Sequence, residues 1–256
     1  MFLRSSSKPI QALPLARARD DLDDRDLAIA SASHRAEPAQ LDAVRRLLAK
    51  APGRERELEC GFQEGRPRDA VFHNCSGKHA GMLALCRARG WRSEGYRHEG
   101  HRVQRAAAAA HAEAAEVDED AMPTAVDGCG VVTFALTLER AARSFARLEA
   151  LPGGNRVVAA MRAHPELVGG KGQTDTEVMR ALPGWAAKGG AEGLICALGA
   201  EGVGVALKSE DGTSRPLRPA LHSFLGRFGL DLPDDFARVS VRNAHGDTVG
   251  EIVSVR

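Results

Sequence analysis

Ser5 and Lys8 stand three residues apart near the start of the chain, in Ser5-Ser6-Ser7-Lys8. On a helix this spacing puts both side chains on one face, about a turn apart. A neutral lysine so placed can take the serine proton and turn the hydroxyl into a nucleophile. Pro9 does not prevent a helix here, because the first turn has no use for its missing N–H. Serine and lysine are common residues, so the pattern acquires meaning only in company.

The segment His73-Asn74-Cys75-Ser76-Gly77-Lys78-His79 is denser in chemistry. It reads as a helix N-terminus capped by Asn74 or Ser76, as a Cys75 or Ser76 nucleophile beside a histidine, or as half of a metal site. In the last case Cys75 and Cys129 supply thiolates, and His73, Lys78 or His79 completes the set. Asp127-Gly128-Cys129-Gly130 is a tight turn, or a place where backbone approaches a ligand. Gly169-Gly170-Lys171-Gly172 is no phosphate loop, since that pattern requires glycine at Pro165 and Ser or Thr at Gly172. Ala187-Lys188-Gly189-Gly190-Ala191-Glu192-Gly193 reads as a solvated lysine beside a turn, or as a strand edge along which substrate can lie.

The elements that must position these residues follow from periodicity. Leu41, Val44, Leu47 and Leu48 predict a helix over residues 40–50, stopped by Pro52-Gly53. A polar connector occupies 53–70, and a helix runs from about His79 to Arg89 with Gly90 as its stop. The alanine-rich run from Gln104 to Glu116 is a strong helix former with little to bury. Phe134, Leu138, Ala141, Phe145 and Leu148 predict one amphipathic helix, and Thr174 to Glu177 has the form of a capping box opening another. Beyond Pro183-Gly184 the pattern changes to hairpins, residues 193–198 with 203–208 and 239–241 with 249–255. Helices first and closely joined strands last predict an α+β fold with an antiparallel sheet flanked by helices.

Composition narrows the class. The 256 residues are 43% hydrophobic, and 35 Lys and Arg offset 34 Asp and Glu. A near-neutral chain lacks the clustered charge of nucleic-acid or membrane-surface binding, so neither partner is expected. No apolar run approaches the ~20 residues of a membrane span, and the first residues lack a signal-peptide pattern, which predicts a cytoplasmic protein. Five widely spaced cysteines suggest reduced thiols, not a disulfide framework.

Taken in order, six segments resemble the signature set of the rhizobial-type L-asparaginases. They are Ser5–Pro9, Ala32-Ser33-His34, Asn74–Leu83, Asp127–Gly130, His164–Gly170 and Lys188–Gly193, and the likeness spans essentially the whole chain. The resemblance implies a fold similar to serine β-lactamases and glutaminases, with residues 1–256 forming a single catalytic domain. It implies hydrolysis of L-asparagine to L-aspartate and ammonia through an acyl-enzyme, with Ser5 as nucleophile and Lys8 as its base. Ser33 matches a second active-site serine, and Lys188 the lysine before the substrate-binding strand edge. Cys75, Lys78 and Cys129 match a zinc site, with Asp127 a polar residue beside it. The substrate would be a small molecule, and a homodimer is compatible with the resemblance.

The chain also departs from the family pattern. Family members carry a few dozen residues of strand before the Ser-x-x-Lys segment, whereas Ser5 lies almost at the start. N-terminal strands are therefore expected to be missing, which would leave Ser5 near a fraying end and the 249–255 strand short of neighbours. Arg35 stands where the family has serine, and Gly170-Lys171-Gly172-Gln173 differs in detail. Two alternatives stay open: a non-catalytic zinc-binding relative, and a Ser-x-x-Lys hydrolase acting on β-lactams or peptides.

Overall fold

The computed structural model of the chain describes residues 1–255. A turn of 3-10 helix at Arg4–Ser7 runs straight into α1 (Lys8–Ala18), followed by α2 (Asp24–Ala30) and α3 (Pro38–Lys50). After a largely irregular connector come α4 (Ser76–Arg89) and α5 (Arg102–Ala115), then a short hairpin of β1 (Thr124–Val126) and β2 (Val132–Phe134). Helices α6 (Leu138–Leu148), α7 (Gly154–Ala163), α8 (Pro165–Val168) and α9 (Thr174–Ala181) precede β3 (Ala186–Gly190), β4 (Leu194–Leu198) and β5 (Gly204–Lys208). The chain ends with α10 (Leu217–Gly226), β6 (Arg238–Arg242) and β7 (Thr248–Val253).

The fold is α+β with antiparallel pairing throughout. β3, β4 and β5 form a three-stranded sheet in that order, with Lys188 opposite Cys196. β1–β2 and β6–β7 are separate two-stranded pairs. Buried apolar side chains form one continuous cluster from Leu3 to Phe236. Helix α1 runs through it, with Ile10 and Leu13 fully buried. The alanine run of α5 does bury a face: Ala107, Ala110 and Ala114 are buried in a helix that packs against α1 and α6, and side chains this small let helices come close.

Several expectations hold and several need correction. The helix at 40–50 begins at Pro38, Gly90 closes α4 in the left-handed region (φ 62), and both predicted hairpins form. Phe134 lies in β2, not in the helix with Leu138, although its spacing imitates a helical stripe. Thr174 is not a cap. Gln173 precedes the helix in extended conformation, and the Glu177 carboxylate accepts from the Gly172 N–H at 2.9 Å. The first residues do not fray: the Leu3 N–H donates to the Phe134 carbonyl at 2.9 Å and the Met1 ammonium to the Leu136 carbonyl at 2.9 Å. These bonds lay the start of the chain along the edge of β2 and fix the run into Ser5.

Candidate active site

Four segments converge on a cavity of 350 Å³ bordered by Ser5, Ser33, Asp175 and Lys188. Ser5 comes from the 3-10 turn, Ser33 from the loop after α2, Asp175 from α9 and Lys188 from β3. The 3-10 turn can lie against β3 because Gly190 is there: a Cβ at that position would sit 2.8 Å from Ser6 Oγ and 2.9 Å from the Leu3 carbonyl oxygen. Ser6 Oγ fastens the same contact by donating to the Lys188 carbonyl at 2.9 Å.

Lys8 is fully buried below the cavity, and its ammonium donates to the Ala32 carbonyl at 2.7 Å and to Ser33 Oγ at 2.8 Å. Burial lowers its pKa to about 8, with Cys75 opposing the shift and Lys78 and Lys188 adding to it. The lysine therefore touches Ser33, while Ser5 faces the same cavity with a hydroxyl free of hydrogen bonds among the described residues. Lys188 is 1% exposed and paired with Asp175 at 3.1 Å. Burial resists ionisation of Asp175, but Lys188 and the N–H groups of Gly189 and Thr176 outweigh it and hold the carboxyl below its usual range.

Close to Lys8 lies the sulfur cluster. Gly77 allows it to form, since a Cβ there would come within 2.2 Å of the Ile29 carbonyl oxygen and hold α4 away from α2. Lys78 Nζ is 3.0 Å from Cys129 Sγ, and Cys75, Lys78 and Cys129 are all buried. The Cys129 thiol is driven far down, first by the Cys75 side chain beside it and then by Lys78, while Cys75, whose S–H donates to Asn74 Oδ1 at 3.2 Å, is raised. Burial disfavours the Lys78 charge, yet Cys129, Cys75 and Asp127 outweigh it and hold its pKa up. His79 is buried beside Cys129 with Nε2 unpartnered. Two sulfurs and an amine nitrogen are donors that can hold zinc. Among the described residues, no three or more His, Cys, Asp and Glu side chains group as metal ligands, so lysine would have to supply one position.

Asp127 connects the two regions. It shapes the turn between β1 and β2, with its N–H bonded to the Val131 carbonyl at 2.8 Å, and its carboxylate accepts from Arg4 Nε at 2.6 Å. Arg4 reaches Glu192 with its other end. All five cysteines, Cys60, Cys75, Cys86, Cys129 and Cys196, are unbonded to one another and buried.

Sequence reasoning missed Arg4, Asp175 and the pair of His34 with Ser76, whose Nε2 and Oγ lie 2.7 Å apart. His34 Nδ1 accepts from the Ala36 N–H at 3.0 Å, so the ring is a neutral donor to Ser76. Burial, then Lys8 and Arg66, lower its pKa to about 3. Asp175 left one trace, an acid in the first turn of a helix facing a lysine.

In this α+β chain two serines and the Lys188–Asp175 pair border one polar cavity, and the buried Lys8 reaches it through Ser33. The family described as L-asparaginase II matches residues 1–254, and the chain belongs to it. That match lends no support to the expectation of missing strands. No curated protein matches the chain significantly. No helix among the described residues is long and apolar enough to cross a membrane.

Proposed function

We propose that the whole chain acts as one catalytic domain hydrolysing the side-chain amide of L-asparagine through a serine acyl-enzyme. The observation that carries this reading is Lys8, a fully buried amine bound at 2.8 Å to a serine hydroxyl in the cavity. Near neutral pH a useful fraction of such a lysine is uncharged and can accept a proton. Ser5 attacks the carboxamide carbon, and its proton passes to Lys8 by way of Ser33. Lys8 then returns the proton to the departing ammonia. Water attacks the ester carbonyl and releases aspartate, with the same groups acting in reverse. Lys188, held in place by its ion pair with Asp175, stabilises negative charge as it develops on the carbonyl oxygen.

The direct contact between Lys8 and Ser33 favours a second assignment, in which Ser33 itself carries the acyl group. Mass spectrometry of protein quenched during turnover decides between them. An adduct of one aspartyl group on the Ser5 peptide, lost in Ser5→Ala, supports the first assignment. An adduct on Ser33 supports the second, and turnover undiminished in both Ser5→Ala and Ser33→Ala removes the serine mechanism.

Zinc would be held by Cys75, Lys78 and Cys129, and would supply fixed positive charge and rigidity close to Lys8. Zinc binding requires deprotonated ligands; Cys129 is the one already driven that way, and Cys75 and Lys78 would give up their protons on binding the metal. Buried, unpaired thiols support a reducing compartment such as the cytoplasm.

A further inference from the structure

The geometry points to a carboxylate-recognition subsite formed by Arg35 and Arg66 in the cavity wall, which selects amides carrying a free carboxylate. Both arginines border the cavity that holds Ser5 and Ser33, and Arg35 follows Ser33 by two residues. This inference rests on the proposed amide hydrolysis and specifies how the substrate is held for it.

Charge accounting carries the argument. Among the described residues the only carboxylate bordering the cavity is Asp175. Its Oδ2 is taken by Lys188 and the Gly189 N–H, and its Oδ1 by the Thr176 N–H. Neither Arg35 nor Arg66 has an acidic partner among the described residues, in a protein whose other arginines often do: Arg162 with Glu149 and Arg180 with Glu166 are examples. Glu37 Oε1 and the Arg35 stem both lie beside Gly170, but Glu37 forms no ion pair with the guanidinium. Two cations facing one small space repel, and Arg66 is disfavoured first by its own burial and then by Arg35. An arrangement that costs energy when empty and loses that cost on binding an anion is the mark of an anion site.

The two guanidinium groups are placed for the task. Arg66 Nη1 donates to the Phe72 carbonyl at 2.7 Å, and Nη1 and Nη2 reach the His34 carbonyl at 3.4 Å. Three of its five N–H groups are thus committed to pinning it, and two remain for a ligand. The Arg35 stem lies over Gly170, whose missing side chain gives it room: a Cβ there would stand 3.1 Å from Arg35 Cγ. Its backbone is fixed by the Gln40 side-chain oxygen, which accepts from the Arg35 N–H at 2.8 Å. A carboxylate between the pair leaves the rest of a short substrate directed toward Ser33 and Ser5.

The test compares L-asparagine with β-alaninamide, which is asparagine without its α-carboxylate, by ammonia release. The wild-type protein is expected to prefer asparagine at least about tenfold in kcat/KM, the scale of a charge-assisted contact. Arg35→Met and Arg66→Met should each collapse that preference toward one, mainly by raising KM for asparagine. Arg66→Lys, which keeps the charge without the fork, should restore part of it. A wild-type protein indifferent to the carboxylate overturns the proposal, as does a preference that survives both Met variants. If no amide is hydrolysed at all, the proposed reaction fails, and calorimetry with L-aspartate then tests the subsite alone. Binding weakened at least about tenfold in both variants sustains it, and no binding to the wild type, or equal binding in all three, overturns it.

Discussion

Arg4 Nε sits 2.6 Å from the Asp127 carboxylate, tying the residue before Ser5 to the turn that carries Cys129. Arg4 is in the left-handed region (φ 51), as is Glu192 (φ 62), to which it is also paired. A non-glycine residue in that conformation costs about 1–2 kcal/mol, so the ion pairs hold a strained backbone next to a candidate nucleophile. Arg4→Met should lower kcat by about 100-fold through displacement of Ser5, with KM changed much less. Arg4→Lys should not rescue it, because one ammonium cannot replace a fork that serves two carboxylates. Steady-state kinetics of the two variants checks this; a change confined to melting temperature would contradict it.

The Lys8 pKa of about 8 fixes the direction of the pH response. The charged form dominates below that value and cannot act as base, and the neutral amine accumulates above it. Asparagine turnover, as kcat/KM, should therefore rise with pH and level off above about 8, with a slope of one on a logarithmic plot. In Lys8→Met that limb should vanish along with at least about 10³ of the rate. A flat profile between pH 6 and 9, in a wild-type protein that turns over, would exclude Lys8 as the titrating base.

One zinc per chain is expected by elemental analysis of protein purified without chelators. Cys75→Ser and Cys129→Ser should each lose it, and Lys78→Ala should weaken it by at least about tenfold. Affinity should fall on acidification because protons compete for the sulfur and amine ligands. Metal-free protein after reduction and zinc addition would remove the site.

Asp175→Asn would leave the Lys188 charge buried without a counter-ion, a change that costs about 3–5 kcal/mol in comparable pairs. Urea unfolding should show a lower midpoint with unchanged slope. The native pKa of Asp175 is depressed, so its contribution is complete above the ordinary aspartate range near about 3.9 and fades as pH falls toward the native value. The acid dependence of stability should therefore be shallower in Asp175→Asn than in the wild type; parallel curves would show that the pair contributes nothing.

The residues that sequence could find were those that sit close together along the chain. Ser5 and Lys8 share one turn, and Cys75 and Lys78 open one helix, so their spacing carries the information. Asp175 and Arg4 act across 13 and 123 positions respectively, and no local pattern records such a partner. Thr174 and Glu177 imitate a cap because helix starts and ion-pair sites use the same residue types. β2 is three residues long, too short for an alternation to be told from the first position of the helix after it. The α+β class was legible because the hairpins at 193–208 and 238–253 are short apolar or alternating runs joined by clear turns, while the β1–β2 pair hides its turn in a cysteine motif. That the strands divide into three separate sheets could not be read, because their arrangement depends on distant residues.

With every one of the five thiols buried, a sulfhydryl reagent meets no cysteine at the native surface, and its rate of reaction measures how often the protein opens. The thiols sit on different parts of the framework. Cys196 is in the middle strand of the sheet, and Cys129 is in a turn between two short strands. A labelling time course with site-resolved mass spectrometry would therefore separate a local opening at the Cys129 turn from global unfolding reported by Cys196. Bound metal would show itself as selective protection of Cys75 and Cys129, so the cysteines form a built-in set of clocks for both stability and occupancy.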